Sequence, residues 1–571
     1  MRCYKRLKTW AFLAEGFFCI VIRRRTGDNK NATKFPGEKV GTSIVTQGFL
    51  KGTLILTISG IVVKVIGSLN WVILSRVMGG EGIGLYQMGF PIYLLALSIS
   101  SAGLPVAISI VTAEKLAVRD YRGAQHVFRV SLTLLAASGL FFCLLLIVGA
   151  GWLMEHRWIR DARAYYSIIA LAPAVFFVTL LASFRGYLQG WQEMTPTAAS
   201  EIVEQLFRVF TMIWFASFFM PYGLAYAAAG ASMGAGVGAV AALCVLIFFY
   251  RRIRKKFQQK ALTDDAGLPP EPTKVVLNRL LRLAFPVALS SLMLPVVANL
   301  DLLIVPARLE VAGFSIPDAT AQFGYLTGMA VPLINLSTIL TASLAISLVP
   351  SISDARARGD QSVVANRTSS AMHIAAMVTI PCAIGLYVLG GSVATIVYNA
   401  PEAAGVIEAM SGAIFLLGLH QVTTGILQGL GHTTIPVVNM IVAAVSKVGL
   451  SWVLVAIPEI GIKGAALATV ADMGVAALLN MFFLQRFTGF RLPLLAWGKL
   501  LVSAAVMGVA ASATLHGVHS ITGSNGWGLL AAMIVAVPVY SGVLLAIGGL
   551  PMDEAEKLPF VGRYVARFLK K

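Results

Sequence analysis

The chain has 571 residues, of which 57% are hydrophobic and only 12% charged, against about a quarter charged in a soluble domain. That excludes a string of soluble domains and requires an integral membrane protein with a dozen or more crossings. The formal net charge of +19 does not call for nucleic acid, because the lysines and arginines collect in short segments between apolar runs, as the positive-inside rule expects.

In chain order, residues 1–46 form an extension. Its apolar stretch AFLAEGFFCIVI contains Glu15 and is followed by RRR. At about 12 residues it is too short to span, and it lacks the small-residue cleavage site of a signal peptide. It is either an interfacial segment or lies upstream of the true start, and the later start is favoured.

About fourteen spanning runs follow, near 50–77, 84–112, 125–153, 163–184, 197–219, 223–250, 280–306, 321–349, 368–390, 404–428, 434–457, 461–485, 493–515 and 526–549. Several contain prolines (Pro91, Pro105, Pro173, Pro286, Pro295, Pro332, Pro381), tolerated where neighbours satisfy the freed carbonyls. The boundaries are an N-lobe of six helices (47–250), a basic linker (251–279) opened by RRIRKKFQQK, a C-lobe of six (280–485), two further helices (486–550) and a basic tail (551–571). The tail, KLPFVGRYVARFLKK, either rests on the inner leaflet or is solvated. Loop charge puts the linker and both termini in the cytoplasm.

The second half repeats the first. RGYLQG (Arg185–Gly190) returns as TGILQG (Thr424–Gly429), Pro196 as Pro436, and GLAYAAAGASMG as GIKGAALATVADMG, in the same order at nearly one spacing. The fold class is therefore an all-α polytopic membrane protein of about 14 transmembrane helices. Two pseudo-symmetric six-helix lobes surround a central cavity, and two C-terminal helices are added. An even number of spans per repeat makes the lobes parallel.

Charges at mid-span depth pick out the candidate site. In SEIVEQLFRVF, Glu201, Glu204 and Arg208 share one helix face. The repeat places Lys447 opposite Arg208, while Lys64, Asp301 and Asp472 lie within the first, seventh and twelfth runs. Each would cost about 2.5–3.5 kcal/mol facing lipid, so they are expected to line a water-filled cavity between the lobes. For Glu204 with Arg208, an internal pair that fixes helix register serves equally well. Lys64 and Lys447 have no partner within their own helices and fit the cavity better. Glu201 beside Glu204 makes a protonated acid that couples a proton to transport one reading, and a structural acid the other. His373 and His420 are cavity or packing residues.

The five cysteines are scattered and the histidines unclustered, so neither a disulfide framework nor a metal site is indicated. No catalytic signature is present, and a duplicated single chain about a polar cavity is a carrier rather than a channel.

The wording of several segments resembles a known family: the run Phe49–Ser109 with SRVMGGEGIGLYQMGFP, and RGYLQGWQEMTPTAASEIVEQLFRV, DLLIVPARLEVAGF, LVPSISDARARGD and LPFVGRY. The chain is similar to the stage V sporulation protein B family. That family lies in the polysaccharide-exporter and lipid-flippase branch of the multidrug/oligosaccharidyl-lipid/polysaccharide superfamily. The resemblance runs from about Gln47 to the C-terminus. It implies flipping of an undecaprenyl-pyrophosphate-linked saccharide across the bacterial cytoplasmic membrane, for spore cortex or cell wall. No cofactor is implied; the drive is the membrane potential, Na+ or H+, and wall-synthesis enzymes are implied partners. Basic residues line the N-lobe cavity in such flippases. Lys64 stands where their pattern has arginine, Arg76 keeps its basic residue, and Asn70-Trp71 replaces another, which leaves the head group open. The alternatives are a cation-coupled multidrug exporter, typically of twelve spans, and a non-transporting scaffold for wall synthesis.

Overall fold

The computed structural model describes residues 41–549 except 102, 264, 266, 268, 270 and 491–493. The chain divides into Met1–Lys51 and Gly52–Lys571, and the architecture below is that of the second unit. The expectations for the short apolar stretch near the N-terminus and for the tail 551–571 lie outside the described residues.

Among the described residues every regular element is helical, as a chain must be where lipid offers the backbone no hydrogen bonds. The first half comprises α1 (Gly41–Ser101), α2 (Leu104–Ala117), α3 (Tyr121–Glu155), α4 (Tyr165–Gly190), α5 (Thr195–Phe219) and α6 (Leu224–Thr263). After the linker come α7 (Thr273–Ser291), α8 (Met293–Val311), α9 (Ile316–Gly324), α10 (Val331–Ser337), α11 (Ile339–Ala357) and α12 (Gln361–Ser392). The chain continues through α13 (Ala404–Met410), α14 (Ala413–Gly429), α15 (Thr434–Leu454) and α16 (Ile462–Thr488). A final hairpin of α17 (Leu494–Thr522) and α18 (Asn525–Ala546) packs against α12.

Among the described residues ten helices are long and apolar enough to cross a membrane, or up to twelve if each of two bent pairs is one span. Several of the fourteen expected runs are not single straight helices, for physical reasons. The first run and most of the second lie within the single element α1, about three times too long for one straight crossing if it were unbroken. It bends at Gly79, whose φ of 66° and ψ of −173° are open to glycine alone. The seventh run divides at Leu292 into α7, with Lys274, Arg279 and Arg282, and α8, with Asp301, Arg308 and Glu310. The eighth run passes through a π turn at Tyr325–Ala330 and then bends by 51° into α11, and α13 bends by 42° into α14.

The echo between the halves reappears in the packing. In the first half α4 packs on α2, α3 and α6, and α6 on α5; in the second, α14 packs on α11, α12 and α16, and α16 on α15. Gly186 lets α4 approach so closely that an added Cβ would lie 2.6 Å from the Pro105 carbonyl oxygen. Gly425 does the same for α14, 2.6 Å from the Ala345 carbonyl oxygen. The helix caps repeat too: the Asp120 carboxylate accepts the Gly123 amide at 2.7 Å and the Asp360 carboxylate accepts that of Val363 at 3.1 Å, each completing the first turn of a helix.

Candidate functional site

Helix α5 carries the polar stripe. Leu206, Phe207, Phe210 and Trp214 are half or more exposed and form its lipid-facing side, while Glu201, Glu204 and Arg208 project from the opposite side into the first bundle. The Ser59 hydroxyl of α1 donates to Glu201 at 3.3 Å. Glu204 is held twice: Arg208 Nη2 donates at 2.5 Å, one helical turn away, and Arg185 Nη2 of α4 donates at 2.8 Å. Arg185 Nε also donates to Ser200 Oγ at 3.1 Å. One carboxylate between two guanidiniums leaves this trio with a net positive charge. Arg208 Nε is buried with no hydrogen-bond partner, a costly orphan in the membrane interior. Tyr86 and Tyr93 of α1 lie within electrostatic reach of Arg208.

Lys64 is exposed, and no ion pair joins it among the described residues. It lies on the α1 face of Gly60, Ser68, Trp71 and Ser75, opposite Ile58, Leu69 and Ile73, which are 51%, 57% and 44% exposed. The lysine therefore occupies the small and polar side of the helix, away from the aliphatic side. Asn70 donates to the Met212 sulfur at 3.6 Å, and its Oδ1 is buried without a partner.

In the second half, Lys447 of α15 meets Asp301 of α8 at 2.5 Å, the lysine side chain 8% exposed. Asp472 of α16 is buried within reach of both charges. The partner that Lys447 lacks in its own helix thus comes from another, 146 residues away. A neutral network lies alongside. Asn439 donates to Asn480 at 2.8 Å, and Asn480 donates to Thr424 at 2.9 Å and lies 3.3 Å from His420 Nδ1. His373 is buried with its Nε2 unpartnered. Among the described residues no group of three His, Cys, Asp or Glu side chains is arranged to hold a metal ion.

Arg76, expected in the cavity, donates from Nε to the Val397 carbonyl at 3.1 Å and from Nη2 to that of Ile396, fastening the first half to the second. The same end of the molecule is sealed by apolar residues of both halves, among them Leu74, Ile83, Ile159, Phe323, Tyr398 and Ile462. Thr320 donates to Asp161 at 2.9 Å within this seal, and an added Cβ on Gly84 would lie 2.0 Å from the Thr320 carbonyl oxygen. Burial alone would raise the Asp161 carboxyl, but the Arg163 guanidinium and amide and the Thr320 hydroxyl outweigh it and hold it below the usual carboxylate range. At the other end, α7 packs on α2 and α3, and Lys115 binds Asp120 at 3.0 Å and the linker's Glu271 at 2.6 Å.

Sequence reasoning missed Arg185, Asn439 and Asn480. Arg185 had one available signal: it opens RGYLQG, and its counterpart in the second copy is Thr424, so this is where the copies diverge in charge.

The profile of the family described as polysaccharide biosynthesis protein matches residues 49–355. Stage V sporulation protein B of Bacillus subtilis (strain 168) is 30% identical over 526 residues, covering 91% of this chain and 99% of that protein. The lipid II flippase MurJ of the same organism is 23% identical over 548 residues, covering 92% and 99%. A solved structure of lipid II flippase MurJ in an inward closed conformation superposes with a TM-score of 0.65 at 14% identity, covering 86% of this chain and 98% of that one. An inward-facing multidrug resistance MATE family transporter of the MOP superfamily superposes with 0.61 at 17% identity, covering 75% and 94%. The fold is thus that of MurJ and MATE structures, the resemblance seen in the motifs holds, and the chain belongs to the polysaccharide biosynthesis protein family.

Proposed function

We propose that the protein is a flippase that carries an undecaprenyl-pyrophosphate-linked saccharide from the inner to the outer leaflet by alternating access between two six-helix lobes. The saccharide is of the peptidoglycan-precursor or polysaccharide-unit type. The observation that carries this reading is the excess of basic groups within the first bundle. Arg185, Arg208 and Lys64, which no ion pair joins among the described residues, stand against Glu201 and Glu204. Such charges are expensive in lipid and mark a transport pathway.

A pyrophosphate bears roughly two negative charges, and an electropositive bundle offsets part of their desolvation. Moving two negative charges outward against an inside-negative potential of ~100 mV is downhill by ~4–5 kcal/mol, so membrane potential supplies a drive, alone or with Na+ or H+. The protein is a carrier in the bacterial cytoplasmic membrane and not an enzyme. With the basic loops and both termini placed in the cytoplasm, the apolar seal that includes Asp161 and Thr320 is the outer gate, closed in this conformation. The hairpin α17–α18 bounds a groove for the polyprenyl tail.

Complementation tests the reading. A bacterium depleted of its own lipid II flippase should be rescued by the wild-type chain and not by Lys64→Ala at equal membrane levels. Failure of well-inserted wild type to rescue counts against a lipid II-type substrate.

A further inference from the structure

We propose that Arg185 and Arg208 form a two-guanidinium receptor for the pyrophosphate of the substrate head group, in which Glu204 is the resident anion that the substrate displaces. The proposal rests on the functional reading above and adds to it a specific site on α4 and α5.

Three observations carry it. The two guanidiniums come from different helices and converge on one carboxylate, at 2.8 Å and 2.5 Å. A guanidinium has five donors in a planar fork, and a single carboxylate cannot satisfy two of them. Arg208 Nε is the unmet donor: it is buried and unpartnered, while the side chains of Arg185, Glu204 and Arg208 remain 20%, 13% and 20% exposed. The group is therefore reachable and incomplete. A pyrophosphate offers two phosphoryl groups, one for each fork, and bidentate arginine pairing is the geometry phosphate oxygens favour.

The equivalent region of the second copy has become something else. Thr424 replaces Arg185, and the Lys447 ammonium pairs with Asp301 while Asp472 lies within electrostatic reach of both, so carboxylates outnumber the cation. A pair that served only to lock helix register would have no reason to carry opposite charge excess in the two copies. Glu204 gives the receptor an occupied resting state. Without substrate its carboxylate neutralises part of the charge; with substrate it yields to a stronger anion and is left to re-form the pair once the substrate leaves.

The test is binding by the full-length protein in lipid nanodiscs, with farnesyl pyrophosphate, farnesyl monophosphate and inorganic pyrophosphate as probes. Arg185→Gln should weaken farnesyl pyrophosphate binding ten-fold or more, the size expected for a charged hydrogen bond, and Arg185→Lys should recover only part of it, having the charge without the fork. Glu204→Gln should tighten binding, because the competitor is gone. These opposite signs cannot arise from a fold that is merely damaged, which would lower both. Reduced monophosphate affinity in the wild type supports the two-phosphoryl fit. Equal affinity for inorganic and farnesyl pyrophosphate, both lost in Arg185→Gln, supports the receptor and assigns it to free pyrophosphate instead of a lipid head group. Unchanged binding in Arg185→Gln, or weakened binding in Glu204→Gln, overturns the proposal and leaves the flippase reading standing; a wild type that binds none of the probes overturns both.

Discussion

Replacing Lys447 with methionine separates a structural ion pair from a free cavity charge. At the observed 2.5 Å, two unit charges attract by about 6–7 kcal/mol at an effective dielectric constant of ~20. Desolvation costs several kcal/mol for each ion, so the pair as a whole contributes little. Its removal by halves is different. Lys447→Met keeps the length and fills the space, but leaves Asp301 and Asp472 facing each other without a cation. The expected loss is about 3–5 kcal/mol, read as a lowered unfolding midpoint of the purified protein in detergent. The double variant Asp301→Asn/Lys447→Met removes one of the two stranded carboxylates and should recover at least half of that loss. Lys447→Met within about 1 kcal/mol of wild type, or a double variant as unstable as the sum of its parts, would refute the pairing as a source of stability.

Lys64→Ala should abolish rescue while leaving insertion and melting unchanged, to within about 0.5 kcal/mol, since Lys64 has no ion-pair partner among the described residues to lose; transport at wild-type rate in that variant removes it from the pathway. Gly186→Ala and Gly425→Ala should each cost about 1–3 kcal/mol by overpacking, because the added Cβ would meet a backbone carbonyl at 2.6 Å in both cases. Unequal effects on unfolding would argue against equivalent packing in the two halves. The Asp161 carboxyl is depressed in the fold, so its contribution to the seal is whole above about pH 4, the ordinary aspartate value. It fades as pH falls through the lower folded value. Labelling of a cysteine placed at Ile159 should therefore rise only below about pH 4, and a rise between pH 7 and 5 would contradict the assignment.

Much of the architecture is legible in the sequence because membrane helices declare themselves by length and hydropathy. The duplication is legible because small residues recur where helices touch: Gly186 and Gly425 are visible as letters before they are visible as contacts. The charged stripe on α5 is legible for the same reason, since three charges in one apolar run share a face by spacing alone. What could not be read was distance in the chain. Lys447 finds Asp301 and Arg185 finds Glu204 only once the bundle is assembled. Arg185, at the end of an apolar run, reads as an ordinary interfacial cation. Nor could the sequence show that Arg76, near a span end, donates to backbone carbonyls of the other half. The number of apolar runs differs from the number of straight helices because hydropathy registers a run and is blind to a break within it, as at Leu292 in the seventh run.

The most direct test of the central claim is flipping itself. The purified chain would be reconstituted into liposomes with a fluorescent undecaprenyl-pyrophosphate-linked saccharide, and an inside-negative potential imposed. The account expects label to reach the outer leaflet faster with wild type than in protein-free liposomes, faster with the potential than without it, and no faster than background with Lys64→Ala. Wild-type protein that inserts and melts normally yet moves no label under any potential would contradict it.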